Sequence, residues 1–279
     1  APALGGLVQG LGVSGVLLAA ALGRVTAAVP PPRPAPTRVS PPAADVRLRG
    51  LTFSYGPRSA PVVDRLDLTV PEGDHLAIVG PSGAGKSTLA ALLAGLLRPV
   101  SGAALVGGVP ADRVDPAARV LIPQEAYVFR GTLLENLAYL RPGATRAALD
   151  ASVAAVGAEE LVAGLGGYDA VIDDPAALSA GQRQLLALAR AHLAGAPLVI
   201  LDEATCHLDA AAEARAEHAL AGRGGTLILI AHRLTSALRA RRILLMDGGH
   251  TVIGTHDELV GASPLYADLA GHWHPEPVS

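Results

Sequence analysis

An apolar run feeds a glycine loop, and the loop feeds a helix; no other pattern in this chain limits its fold as much. His75-Leu76-Ala77-Ile78-Val79 reads as a short buried strand, and Ser87 to Leu97 as a helix rich in leucine and alanine, stopped by Pro99. Between them lies Gly80-Pro81-Ser82-Gly83-Ala84-Gly85-Lys86-Ser87-Thr88, which fits the phosphate-loop pattern of a glycine, four residues, then Gly-Lys-Ser. In that arrangement the loop N–H groups and the helix N-terminus aim at one anion, and Gly83 and Gly85 let the backbone approach it closely. Lys86 is the only lysine; the other 21 of the 22 basic residues are arginine. A single lysine falling here by chance among the basic sites has odds of roughly one in 22, and chemistry explains the choice: a compact ammonium fits between β- and γ-phosphate oxygens where a planar guanidinium is too broad.

The rest of the composition leaves room for such a domain and narrows its partners. Of 279 residues half are apolar and only 3% aromatic, so the core is aliphatic. A net charge of −3, with no aromatic-plus-basic platform, argues against a nucleic-acid partner. One cysteine, Cys206, excludes an internal disulfide framework and fits a reducing compartment. Heavy use of Ala, Arg, Gly and Pro suggests a GC-rich bacterial genome.

Residues 1–23 carry no charge and have the length to cross much of a bilayer, although their glycine and alanine content makes insertion weak. A surface-packed amphipathic helix is the equal alternative. Pro30, Pro31, Pro32, Pro34, Pro36, Pro41 and Pro42 read as an extended, semi-rigid linker. The domain plan is therefore an apolar segment at 1–28, a linker at 29–44, a compact domain at 45–274 and a tail at 275–279. Within the domain, Val46, Leu48, Leu51, Phe53 and Tyr55 suggest a strand with a register break near Gly50, and Leu66, Leu68 and Val70 a second. Short strands follow near 103–106 and 120–122, a mainly helical stretch near 132–194, and strands again at 198–201, 227–230 and 243–246. Strands alternating with helices argue for a parallel sheet covered on both faces.

Leu198-Val199-Ile200-Leu201-Asp202-Glu203 is a buried-strand pattern ending in two carboxylates, at the strand end where open α/β sheets place catalytic groups. Alone the pair would read as an exposed acidic turn. Downstream of a phosphate loop, Asp202 is expected to help hold Mg²⁺ through water, Ser87 to give the metal its hydroxyl, and Glu203 to polarise water as general base. Leu178-Ser179-Ala180-Gly181-Gln182 offers Ser179 as a helix cap with Gly181 baring its backbone, a second anion-binding helix start. One ATP does not easily span two distant helix starts of one domain. A head-to-tail partner is expected to bring the second start onto the first ATP.

With these motifs in this order, the chain resembles the nucleotide-binding domain of an ATP-binding cassette transporter from about Asp45 to Trp273. The resemblance implies an α/β phosphate-loop NTPase core with a mostly parallel sheet, an antiparallel β subdomain and an inserted helical subdomain at about 125–190, with ATP and Mg²⁺ as ligands. It implies that Tyr55 stacks on adenine, that Gln124 touches Mg²⁺ and senses the γ-phosphate, and that Asp209 crosses a dimer seam. It further implies that His232 contacts the γ-phosphate and positions the water, and that the partner is a second nucleotide-binding domain, identical or different. Phe129, Gly131-Thr132, Glu135-Asn136-Leu137, Gly254 to Leu259 and Pro264 to Leu269 resemble the exporter branch. There a membrane domain precedes the ATPase in the same chain. Residues 1–28 would then end its last transmembrane helix, and the domain would work at the cytoplasmic face of a bacterial inner membrane.

Three positions depart from the family pattern. Ala180 stands where glycine is usual, which puts the speed of closure in question. Asp173-Asp174-Pro175-Ala176-Ala177 keeps acid but lacks the exporter glycines, which puts the mode of coupling in question, and Leu185 stands where a basic residue is common. Cys206 reads as an inert packed thiol and His207 as structural. The expected function is ATP hydrolysis driving export of a substrate. Two alternatives stay open: a soluble cassette ATPase of repair or translation type, and a weakly hydrolysing half of a heterodimeric transporter, against which Glu203 and His232 stand.

Overall fold

A computed structural model describes residues 37–248 and 250–272. The apolar segment 1–28, the linker up to residue 36, Trp273 and the tail 275–279 lie outside the described residues. Alternating apolar side chains make the first strand, β1 (Val46–Phe53), which buries Val46, Leu48, Leu51 and Phe53. The phase slips between Leu48 and Leu51, where Gly50 takes φ +51 and its N–H bonds Asp67 Oδ1 at 2.8 Å. Strand β2 (Val63–Val70) pairs antiparallel with β1, and β3 (His75–Val79) is buried along its whole length.

Helix α1 (Lys86–Leu93) follows the glycine loop. It stops short of Leu97, the end expected from sequence. Gly95 turns left-handed at φ +66, against the Ala111 carbonyl, which a Cβ there would meet at 2.2 Å. Strands β4 (Ser101–Val106) and β5 (Val109–Pro110) complete an antiparallel sheet of order β2-β1-β4-β5. Next come β6 (Arg119–Ile122), β7 (Gly131–Thr132), α2 (Leu133–Ala138), α3 (Arg146–Val156), α4 (Glu159–Gly164), β8 (Val171–Ile172) and α5 (Ala180–Ala194). The chain then alternates through β9 (Leu198–Asp202), α6 (Ala210–Ala221), β10 (Thr226–Ile230), α7 (Leu234–Arg239) and β11 (Arg242–Asp247). It closes with β12 (His250–Gly254), α8 (His256–Ala262) and α9 (Pro264–His272).

The larger sheet has the order β12-β11-β3-β10-β9-β6 and is parallel except where β12 folds back on β11. Its central strands are apolar on both faces because both are covered. Ala77 and Val79 point into one core with Leu186, Leu188 and Leu229, whereas Leu76 and Ile78 point into the other with Leu89, Leu92 and the antiparallel sheet. The described end of the proline-rich stretch is docked: Val39 N–H bonds Arg113 O, and Asp115 N–H bonds Val39 O, both at 2.9 Å.

Candidate functional site

The parallel register decides where the polar groups gather. β3, β10, β9 and β6 are consecutive neighbours, so the residues after their carboxyl ends lie along one edge: the glycine loop, His232, Asp202 with Glu203, and Gln124. The loop is a tight cradle. Gly80 has φ +148, and a Cβ there would lie 2.1 Å from Met246 O; one on Gly85, at φ +92, would lie 2.7 Å from Val62 Cγ1. Gly83 has open space around it, so its φ of +81 alone calls for glycine. Ala84 is buried beneath the loop, while Ser82 is exposed. Lys86 Nζ arches back to donate to Gly80 O at 2.8 Å and Pro81 O at 2.9 Å. Burial draws its ammonium below the ordinary lysine value, opposed by the charges of Glu203 and Asp202.

One hydrogen bond, Ser87 Oγ to Asp202 Oδ1 at 2.9 Å, closes the cradle across 115 residues of sequence. Burial pushes the Asp202 carboxyl above the usual carboxylate range; the Ser87 hydroxyl pulls it back and Glu203 adds to the rise. A hydroxyl and a carboxylate so paired are hard oxygen donors that suit Mg²⁺ beside phosphate oxygens. Glu203 takes φ +52, left-handed for a residue with a Cβ, and so turns the chain sharply out of β9. That conformation costs on the order of 1–2 kcal/mol, and such strain gathers at functional positions. Gln124 and His232 are exposed. Tyr55 is 68% exposed, with its ring edge-on to Phe53 and its hydroxyl sharing a 2.9 Å hydrogen bond with Thr88 Oγ1. An open aromatic face therefore stands beside the start of α1.

The second helix start is built differently. Leu178 is buried and anchors the turn, and Arg183 donates to its carbonyl. Ser179 and Gln182 form a reciprocal capping box at α5, with Ser179 N–H to Gln182 Oε1 at 2.8 Å and Gln182 N–H to Ser179 Oγ at 3.2 Å. Ala180 is accommodated half-buried in the first turn. Gly181 has a packing reason beyond bare backbone: a Cβ there would lie 2.8 Å from His207 O. Among the described residues Leu178 to Gln182 make no hydrogen bond to the phosphate loop. Asp174 caps the short turn before them, accepting from Ala176 N–H at 3.0 Å. Asp209 caps α6, accepting from Ala211 and Ala212 at 2.9 and 2.8 Å.

Sequence reasoning missed two residues that hold these parts. Gln184 is buried on α5 and Arg233 follows His232; both bond the turn before Asp209. Helical spacing gave a signal for Gln184, because it shares a stripe with Ala187, Leu188 and Ala191. It also missed an open groove of ≈ 530 Å³ lined by Phe129, Leu134, Glu135, Ala138, Tyr139 and Pro142. Buried Asn136 fixes its floor by bonding the Phe129 N–H at 3.0 Å and O at 2.9 Å, and Arg190 Nε holds Asn136 O at 2.7 Å.

Comparisons with known proteins agree with this fold. A family model described as ABC transporter matches residues 63–206, about half of the chain. The ABC transporter ATP-binding protein RamB of Streptomyces coelicolor is 58% identical over 234 residues, covering 82% of this chain and 38% of that protein. An ATP-dependent lipid A-core flippase of Chromohalobacter salexigens is 42% identical over 233 residues, 80% of this chain and 40% of its own length. The structure of a bacterial Atm1-family ABC exporter with ATP bound superimposes with a TM-score of 0.81 at 32% identity, over 95% of this chain and 48% of the other. The chain thus spans less than half the length of these relatives.

Proposed function

The chain belongs to the ABC transporter family, and from that premise we propose that it is the ATP-binding and ATP-hydrolysing part of a membrane exporter. The observation that carries the reading is the meeting of Lys86 and Ser87, after β3, with Asp202 and Glu203, at the end of β9, across the intervening β10. Lys86 and the backbone N–H groups of the loop from Ser82 to Thr88 hold the β- and γ-phosphates of ATP, and Tyr55 offers its ring to the adenine. Ser87, Gln124 and Asp202 are the residues to hold Mg²⁺, which neutralises charge on the phosphate oxygens. Glu203 takes a proton from water as the water oxygen bonds the γ-phosphorus and the bond to the ADP oxygen breaks; His232 stabilises the charge that develops.

Closure needs a second copy or a related domain. Ser179 and Gly181 of the partner subunit cover the γ-phosphate, with Asp209 at the seam. Residues 1–28 are assigned to the end of the last transmembrane helix, 29–44 to a linker and 45–274 to the nucleotide-binding domain, with the membrane part in the same full-length chain. No helix among the described residues is long and apolar enough to cross a membrane. The groove at Phe129 and Tyr139, apolar and exposed, is a seat for that membrane part on the cytoplasmic face. Glu203→Gln tests the reading. ATP binding should persist while phosphate release falls by about 10²–10⁴-fold, the range of a lost general base; turnover left intact in that variant rules out the assignment.

A further inference from the structure

Gln184 places a carboxamide where the helical pattern of α5 asks for an apolar side chain. It is 1% exposed, and both ends of its amide are engaged. Its Oε1 accepts from the His207 N–H at 3.0 Å, while its Nε2 donates to Gln124 O at 3.1 Å and to Cys206 Sγ at 3.3 Å. A buried amide is tolerated only when it is matched in this way. One side chain therefore ties together three segments far apart in sequence: the peptide of Gln124 after β6, the turn that leads into Asp209, and the helix that begins at Ser179. The turn is gripped again just after that bond. Gly181 packs on His207 O, and Arg233 donates to Leu208 O at 3.0 Å while bonding buried Glu213 at 2.9 Å.

On the reading above, Gln124 attends the ATP of its own subunit, whereas Ser179 and Asp209 face the ATP of the partner. We propose that Gln184 is a positioning residue that links the two ATP sites of the closed pair, and this proposal rests on that dimeric ATPase reading. When the Gln124 peptide shifts, a rigid carboxamide bonded to it cannot stay in place without giving up a buried hydrogen bond. The turn at His207 and the start of α5 therefore move with it. Occupancy of one site is in this way passed to the surface that completes the other.

The test uses the full-length protein and phosphate release as a function of ATP. Gln184→Met keeps the volume and removes both ends of the link; Gln184→Glu keeps the acceptor for His207 N–H and removes the donor toward Gln124. Wild type is expected to show a Hill coefficient above 1 and both variants a coefficient of about 1. Turnover at saturating ATP is expected to fall by about tenfold, within the span of such couplings. Affinity for a fluorescent ATP analogue, measured in the Glu203→Gln background, should change by less than about twofold, which a general loss of structure would not leave intact. A Hill coefficient identical in wild type and Gln184→Met, including 1 in both, overturns the proposal. If Gln184→Met lowers the melting temperature too far to assay, Gln184→Glu, which retains one bond, decides. Failure of the underlying reading shows separately, as undiminished turnover in Glu203→Gln alone.

Discussion

Two helix starts in this chain carry backbone N–H groups suited to an anion, and they are built in opposite ways. At α1 the polar groups are joined across the fold: Ser87 meets Asp202 at 2.9 Å across 115 residues, and Lys86 is flanked by the charges of Asp202 and Glu203. At α5 the bonds are local, with Ser179 and Gln182 three residues apart satisfying each other. The first start is tied to its own chain at a distant strand end. The second is a finished cap that, among the described residues, makes no hydrogen bond to the phosphate loop.

This contrast can be broken at either end. The largest effect is expected at the cradle. Lys86→Ala should weaken nucleotide binding about 10- to 150-fold, the equivalent of a lost charge-assisted hydrogen bond of about 1.5–3 kcal/mol. Lys86→Arg should recover little of it, since a planar fork does not fit where the ammonium bonds Gly80 O and Pro81 O. A titration with a fluorescent ATP analogue measures both. Gly181→Ala comes next, with the opposite signature: its Cβ would press on His207 O, so turnover should drop about tenfold while nucleotide affinity stays within about twofold. Equal losses of affinity at Lys86 and Gly181 would erase the distinction between the two starts. Ser179→Ala removes a cap of about 1 kcal/mol, or about 2–4 °C of melting temperature in a domain of this size. Calorimetry checks it.

A last prediction, on stability rather than nucleotide handling, concerns β3, which carries the cradle. His75 is buried with no partner for its Nε2 among the described residues, and burial together with the charge of Arg239 lowers its pKa to about 4. Between that value and the unfolded 6.5, the unfolded chain binds the proton and the folded chain does not. Stability should therefore fall as pH drops from about 6.5 toward 4 and level off below. His75→Leu should flatten that limb of a denaturation series, and an unchanged slope would show that the imidazole is not what titrates.

Much of the α1 region was legible in the sequence, because its signals are contiguous. The glycine spacing, the apolar run of β3 and the solitary lysine sit within fourteen residues of one another. The carboxylates at the end of β9 were legible for the same reason. The end of α1 was not: helical composition runs on to Leu97, but Gly95 is drawn against Ala111 by a contact with no local trace. Nor was the left-handed backbone of Glu203 readable, because nothing in an Asp-Glu pair reports a φ of +52. Gln184 was half legible. Its helical phase said that it faces the core, but no spacing could name Gln124 and His207 as its partners.

By itself the sequence determined the glycine loop, the acids at the end of a buried strand and the cap at Ser179, since each is written in residues close enough to constrain one another. The tertiary structure decided which of them share a site. The strand order β3-β10-β9-β6 brings the ends of four distant segments to one edge, and that order is set by the packing of both sheet faces rather than by any local preference.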